Sequence, residues 1–324
     1  MLHVCSEELS TRELHQFLLS GVAPRPVALV STVSCDGIRN LSPFSFYNAF
    51  GANPPIVVVS PSRRGRDASL KDTYNNLEAT RECVIHAVTY DMLHQVNLSS
   101  TEFPSDIDEF VKSGFTPVQS DLVRPERVAQ SPFAMECRLQ QIISLGEGGG
   151  AGNLAICEVV KLHISKRIMK DGVIEPDRLD LIGRMGADYY TRASGDSLFQ
   201  VPKPAASTAI GFDGLPAFIQ TSELYTANEA AHLAANTSLP TQNEISVFID
   251  SFKADAPPAN DSESSRPTGG HYSMLGKVLV EMESGSSQQL EHLGQIVKGA
   301  LHANDVEFAL RLALYIGLIQ DEKW

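Results

Sequence analysis

No stretch of the 324 residues reaches the ~20 consecutive apolar positions that a membrane-spanning helix needs. The N-terminal segment MLHVCSEELSTRELHQF carries Glu7, Glu8 and Glu13 and lacks the apolar run of a secretory signal. Positive charge is scarce: 26 Lys and Arg face 39 Asp and Glu, for a net charge of −13. That balance gives no electrostatic footprint for nucleic acid and no attraction to an anionic membrane. Cysteine is sparse and scattered. Cys5, Cys35, Cys83, Cys137 and Cys157 form no CxxC pair, which speaks for unpaired thiols in a reducing compartment. The last three lie in apolar stretches and read as small buried hydrophobes. His86 and His94 have no cysteine or carboxylate at metal-ligand spacing, so no metal site is expected. His86, inside VIHAV, reads as a core histidine satisfied by backbone. These absences predict a soluble, cytoplasmic protein without nucleic-acid or membrane partners.

A dinucleotide cradle is missing as well. The loop GEGGGAGN places Ala151 where a third glycine would fall after Gly146 and Gly148. Such a cradle needs a helix next, and the β-type run Leu154 to Ile164 follows instead. The segment therefore reads as a flexible loop joining the hairpin strands FAMECRLQQIISL and LAICEVVKLHISK. No βαβ alternation is visible, which argues against a doubly wound sheet. Strands joined by short turns pair antiparallel, and a succession of them closes most easily as a barrel.

What is present centres on Pro24 to Thr73. Two β-branched runs, Val27 to Val33 and Ile56 to Ser60, flank a segment mixing Asn40, Ser42, Ser45, Tyr47 and Asn48 with Phe44, Phe46 and Phe50. Asp36–Gly37 reads as the turn after the first strand. Aromatic atoms covering the faces of a flat ligand, with sparse polar groups at its edge, would use such a mixture. A barrel strand with aromatic core positions and solvent-facing hydroxyls would use it too. At the end of the stretch, Lys71-Asp72-Thr73 precedes a helical spacing of Tyr74, Leu77 and Arg81, with Asp72 or Thr73 as N-cap. A helix start beside Lys71, Arg63 and Arg64 suits a phosphate; an ordinary cap is the plainer reading.

Elsewhere, residues 8 to 20 read as a helix, and Cys83 to Val88 as a buried strand. FPSDIDEF reads as the start of a short helix capped by Ser105 within a proline-punctuated excursion. Beyond residue 205, TANE and TQNE each match a capping box. Helices are predicted near 227–236, 242–252, 288–301 and 306–319, the last buried because LALYIGLI is apolar around most of its circumference. Residues 253–270 read as a linker rich in Pro, Ser and Asp.

In order, PRPVALVST, DGIRNLSPFSFYNAF, NPPIVVVSP, KDTYNNLEATRECVIH, FPSDIDEFVKSGFTP, SPFAMECRLQQI, ICEVVKLHI and RMGADYYTR resemble the flavin reductase-like family of FMN-binding split β-barrels, which includes flavoredoxins. The similarity spans roughly residues 15 to 204. It implies a mainly β protein with α elements: an antiparallel split barrel over 1–204, followed by a mostly helical extension over 205–324. It further implies FMN (or FAD) in a groove completed by the second subunit of a homodimer, with NAD(P)H presented to the open ring face. Lys71, Asp72 and Thr73 match the family's phosphate end. Asn40, Ser42, Ser45, Phe46, Tyr47 and Asn48 match the ring and ribityl segment. Arg25 and Thr32 on the first strand, and Ser60 and Arg63 after the second, fall near the same groove. Tyr189 is a candidate wall residue.

The expected activity is FMN-dependent hydride transfer from NAD(P)H to flavin and on to an acceptor. A flavoenzyme with permanently bound FMN acting on an organic metabolite, and a non-catalytic flavin-binding protein, are the alternatives. No side chain stands out as a catalytic acid or base, consistent with chemistry carried by the cofactor.

Overall fold

The central strands are buried nearly continuously, because both faces of the sheet are covered. Strand β1 (Ala28–Val33) turns at Asp36–Gly37, where Gly37 has a φ of +86°, and returns as β2 (Arg39–Phe44) with Thr32 opposite Asn40. Strand β3 (Tyr47–Ala52) leads into β4 (Pro55–Val59), and helix α1 (Asp72–Thr80) then precedes β5 (Glu82–Ala87). The long hairpin pair is β6 (Phe133–Ser144) and β7 (Asn153–Ile164). Together they form one antiparallel seven-stranded sheet in the order β2-β1-β5-β6-β7-β4-β3. The hydrogen-bonded ladder does not close, which corrects the expectation of a closed barrel. Its two edges, β2 and β3, are instead consecutive in sequence and joined through Ser45–Phe46. The chain bends at this corner and carries itself from one edge to the other, leaving a split where a ladder would be.

Ala28, Val30, Val57, Val59, Ile85, Met135 and the thiols Cys83, Cys137 and Cys157 fill one face of the sheet. All five cysteines are free, and those three are buried as expected. Leu29, Leu41, Val88, Phe110 and Phe115 pack the other face beneath the excursion of residues 100–132. His86 is fully buried there. Its Nε2 accepts from Val128 N–H at 2.9 Å, so Nδ1 carries the proton and donates to the Leu29 carbonyl at 2.8 Å. Burial pushes its pKa down to about 4. The excursion's short helix starts at Glu109 with Asp108, not Ser105, as its cap. Asp108 accepts from Phe110 N–H and also holds Arg39 at 2.8 Å, which fixes that helix to β2.

The N-terminal helix runs Thr11–Gly21, capped reciprocally by Ser10 and Glu13. The computed structural model describes residues 1–201, 203, 209–254 and 270–322. The expected boundary at 204/205 and most of the expected 253–270 linker lie outside the described residues. Packing divides the chain into two compact units, Met1–Gln200 and Val201–Trp324. The second unit is helical. Both capping boxes form, Thr226 with Glu229 and Thr241 with Glu244. Helices span Ala227–Leu233, Gln242–Ala254, Ser287–His302 and Val306–Ile319. The last is buried along Phe308–Leu310, Leu312–Leu314 and Ile316–Gly317. A further helix, Gly270–Glu281, was not legible beside the polar segment that precedes it. No helix among the described residues is long and apolar enough to cross a membrane.

Candidate functional site

Helix α1 begins without a side-chain cap. The residue with extended backbone is Lys71, one position earlier than the Asp72 or Thr73 expected, and it offers no acceptor. Both expected caps are engaged elsewhere. Asp72 accepts from Arg64 Nη2 at 3.3 Å, and the Thr73 hydroxyl donates to Asn40 Oδ1 at 2.8 Å. Among the described residues nothing accepts from the Asp72 and Thr73 amides, so they remain open at the positive end of the helix.

Behind this helix start lies a buried polar network. Asn40 Oδ1 accepts from Thr32 at 3.2 Å as well as from Thr73. Its Nδ2 donates to Glu109 at 3.1 Å, and Asn76 donates to Thr32 at 3.1 Å. Glu109 also accepts from Leu41 N–H, and burial raises its pKa. The Asn40 amide thereby has a single orientation. It holds the first turn of α1 against β1 and β2.

The loop Ser60–Leu70 supplies the cations. Arg63 donates to the Ala68 carbonyl at 3.0 Å, and Arg64 donates to the Leu70 carbonyl. Ser62 Oγ, Arg63 Nε and Arg64 Nε are buried without a hydrogen-bond partner. Three orphaned polar atoms on consecutive residues are an unusual concentration and mark where a polar ligand would be satisfied. The glycine loop of the β6–β7 hairpin braces this segment. Arg63 N–H donates to the Ala151 carbonyl at 2.9 Å, and Gly150 N–H to the Arg63 carbonyl at 3.2 Å. A Cβ on Gly149 would lie 2.6 Å from the Gly65 carbonyl oxygen, so only glycine permits the approach. That loop is tethered, not free as its composition suggests.

Asn40, Ser42, Lys71, Asp72 and Thr73 line one cavity of about 30 Å³ together with Arg64, residues 99–103 and Glu109. Lys71 is half-buried, with its ammonium 5.5 Å from the Phe44 ring centre. Burial first, then the neighbouring Arg64, holds its pKa below the ordinary lysine value. Arg25, Thr32, Ser45, Phe46, Tyr47, Asn48, Ser60 and Arg63 do not line this cavity. Arg25 is buried and donates to the Leu19, Val22 and Met185 carbonyls and to Ser45. The Ser60 hydroxyl accepts from Asn153 N–H at 3.1 Å. Tyr47 packs on the inner core, where burial pushes its phenol up to about 12. Phe46, Asn48 and Tyr189 are exposed.

Sequence reasoning missed Asn76 and Glu109, for which no local signal exists: Glu109 lies 69 residues from Asn40. It also missed the grouping of Asp121, Glu136 and His163, whose ligand-type atoms lie within 4.8 Å of one another. Glu136 accepts from the Asp121 and Leu122 amides and pairs with His163 at 2.6 Å, while Lys161 neutralises Asp121. This network pins residues 121–122 to the sheet. A larger cleft of about 700 Å³ lies near Arg39 and Arg124, but Arg39 is taken up by Asp108 and Glu126.

Residues 20–174 match the model of the flavin reductase like domain. An uncharacterized protein from Aquifex aeolicus (strain VF5) is 32% identical over 189 residues, covering 58% of this chain and 94% of its own. Among solved structures, nitrilotriacetate monooxygenase component B from Bacillus cereus is 28% identical with a TM-score of 0.58. That match covers 62% of this chain and 98% of that one. A flavin reductase with split barrel domain from Shewanella frigidimarina NCIMB 400 is 25% identical with a TM-score of 0.53, covering 63% and 100%. All of the family match lies within Met1–Gln200. The chain belongs to the flavin reductase-like family.

Proposed function

We propose that the chain is an FMN-dependent oxidoreductase of the flavin reductase type, accepting hydride from NAD(P)H and passing electrons to an acceptor. The observation that carries this reading is the anion site: open α1 amides, Lys71, and the orphaned atoms of Ser62, Arg63 and Arg64. These donors fit a phosphate monoester, the group in which FMN ends.

Lys71, Arg64 and the α1 amides would hold the phosphate, with Ser62 and Arg63 on the adjoining loop. Thr73, Asn40, Thr32 and Glu109 keep that helix start rigid behind it. Ser42, Ser45, Phe46, Tyr47 and Asn48 follow along β2, the corner and β3, the segment assigned to ribityl chain and ring. Bound flavin supplies the hydride acceptor and the relay of electrons. The residues bind and orient it while leaving one face open, because hydride transfer needs a near-attack contact of about 3–3.5 Å. Purified protein should show a flavin visible band that bleaches on anaerobic titration with NADH or NADPH and recovers with oxygen. A bound band that neither nucleotide bleaches would rule out the reductase activity and favour a flavoenzyme serving an organic metabolite.

A homodimer belongs to the same proposal. Strand β3 is an edge, exposed from Asn48 to Ala52, and Phe50 is 69% exposed upon it. Phe17 and Leu18 of the Thr11–Gly21 helix are exposed too. An unprotected edge with apolar side chains is the kind of surface that a second copy covers. Light scattering of the flavin-loaded chain at micromolar concentration should give twice the monomer mass; monomer alone would contradict the assignment.

A further inference from the structure

We propose that Glu102 is a built-in competitor for the anion site, a specificity residue whose carboxylate holds the site's cation until a phosphate displaces it. The inference rests on reading the α1 start as a phosphate site. Glu102 Oε2 lies 2.8 Å from Arg66 Nη1, and its Oε1 lies 3.6 Å from Arg64 Nε. The second distance is too long for a hydrogen bond, and Arg64 Nε remains a buried donor without one. Asp72 pairs with Arg64 Nη2 at 3.3 Å, and Glu102 adds a second negative charge beside Nε without hydrogen-bonding it. An anion able to approach closer gains what Glu102 leaves unmade.

Geometry makes the competition direct. Glu102 and its neighbours Ser99, Ser100, Thr101 and Phe103 form one wall of the cavity whose other wall is Lys71, Asp72 and Thr73. The remaining space, about 30 Å³, matches the volume of roughly one water. A phosphate, with five heavy atoms, enters only if this wall yields. Glu102 also acts on Lys71, opposing the lowering of its pKa by burial and Arg64. Residues 99–103 keep their shape through their own turns. Thr101 N–H donates to the Leu98 carbonyl at 3.2 Å, Phe103 N–H to the Thr101 carbonyl at 2.9 Å, and Ser99 Oγ to the Val96 carbonyl at 2.9 Å. Removing the Glu102 charge leaves these bonds intact.

The test is calorimetric titration of the full chain with FMN and with riboflavin, for wild type, Glu102→Gln and, as a charge control, Asp106→Asn at an exposed position four residues on. Glu102→Gln should tighten FMN binding about fivefold, the scale of one exposed ion pair, and leave riboflavin unchanged. Its FMN affinity should also fall more steeply with added salt. Asp106→Asn should change neither ligand by as much as twofold. FMN affinity unchanged or weakened in Glu102→Gln overturns the competitor role, as does equal tightening in both variants. If FMN binds no variant and not the wild type, the phosphate-site reading falls and takes this inference with it.

Discussion

Replacing Lys71 with alanine is expected to weaken FMN binding by about 1.5–3 kcal/mol, the range for a hydrogen bond to a charged group. Arg64 and Arg66 have carboxylate partners, whereas Lys71 has none among the described residues. Its charge is thus held in reserve beside the open amides of α1, in a half-buried position where water screens it weakly. Riboflavin, which lacks the phosphate, should bind the variant as it binds wild type. Equal losses for both ligands would show a folding defect and remove Lys71 from the site. The same lysine sets an alkaline limit. Its pKa in the free protein lies below the ordinary value of 10.5, and phosphate favours the charged form. FMN affinity should therefore decline as pH rises through that lowered pKa, and the decline should vanish in Lys71→Ala.

Acid should destabilise the fold through His86. The unfolded chain takes up this proton near pH 6.5, the folded chain only near 4. At pH 7 both are neutral and nothing is lost. As pH falls from about 6.5 to about 4, only the unfolded state gains the proton, and folding stability drops by up to about 3 kcal/mol at 1.36 kcal/mol per pKa unit. Protonation would also place a donor at Nε2 facing the Val128 N–H, which needs an acceptor. Glu109 opposes this over part of the range, because its raised pKa favours the folded state at low pH. Comparison with His86→Gln separates the two. That variant should lose about 1–3 kcal/mol at pH 7, as expected for disturbed buried hydrogen bonds, and should show a flatter decline toward pH 5 in urea unfolding. Parallel declines in variant and wild type would clear His86 of the effect.

Local signals carried much of the architecture. Thr226 with Glu229 and Thr241 with Glu244 sit three residues apart, so their caps can be read from four letters. The β-branched run of ALVSTV and the turn at Gly37 likewise announce a hairpin within a short window. The proposed anion site was legible as composition, in Arg63, Arg64 and Lys71, but not as geometry. KDT permits a cap by Asp72 or Thr73; only the packed structure shows Thr73 turned to Asn40 and Asp72 to Arg64. Glu109 reaches Asn40 from a separate helix, and Gly149 reaches Gly65 across two loops. Such contacts depend on how the sheet curls, which no window of sequence encodes. The open ladder has the same origin, since the continuity of β2 into β3 looks like a hairpin until both partners prove to lie elsewhere.

The cysteines give this chain an internal clock. All five precede residue 158, and the single tryptophan is Trp324, so indole fluorescence has no source inside the flavin unit. Cys5 and Cys35 are exposed, whereas Cys83, Cys137 and Cys157 are sealed within the sheet. An alkylating reagent therefore meets two thiols at once and the other three only when strands β5, β6 and β7 separate. The mass shift of the slow class, followed over time, reports the opening of these strands.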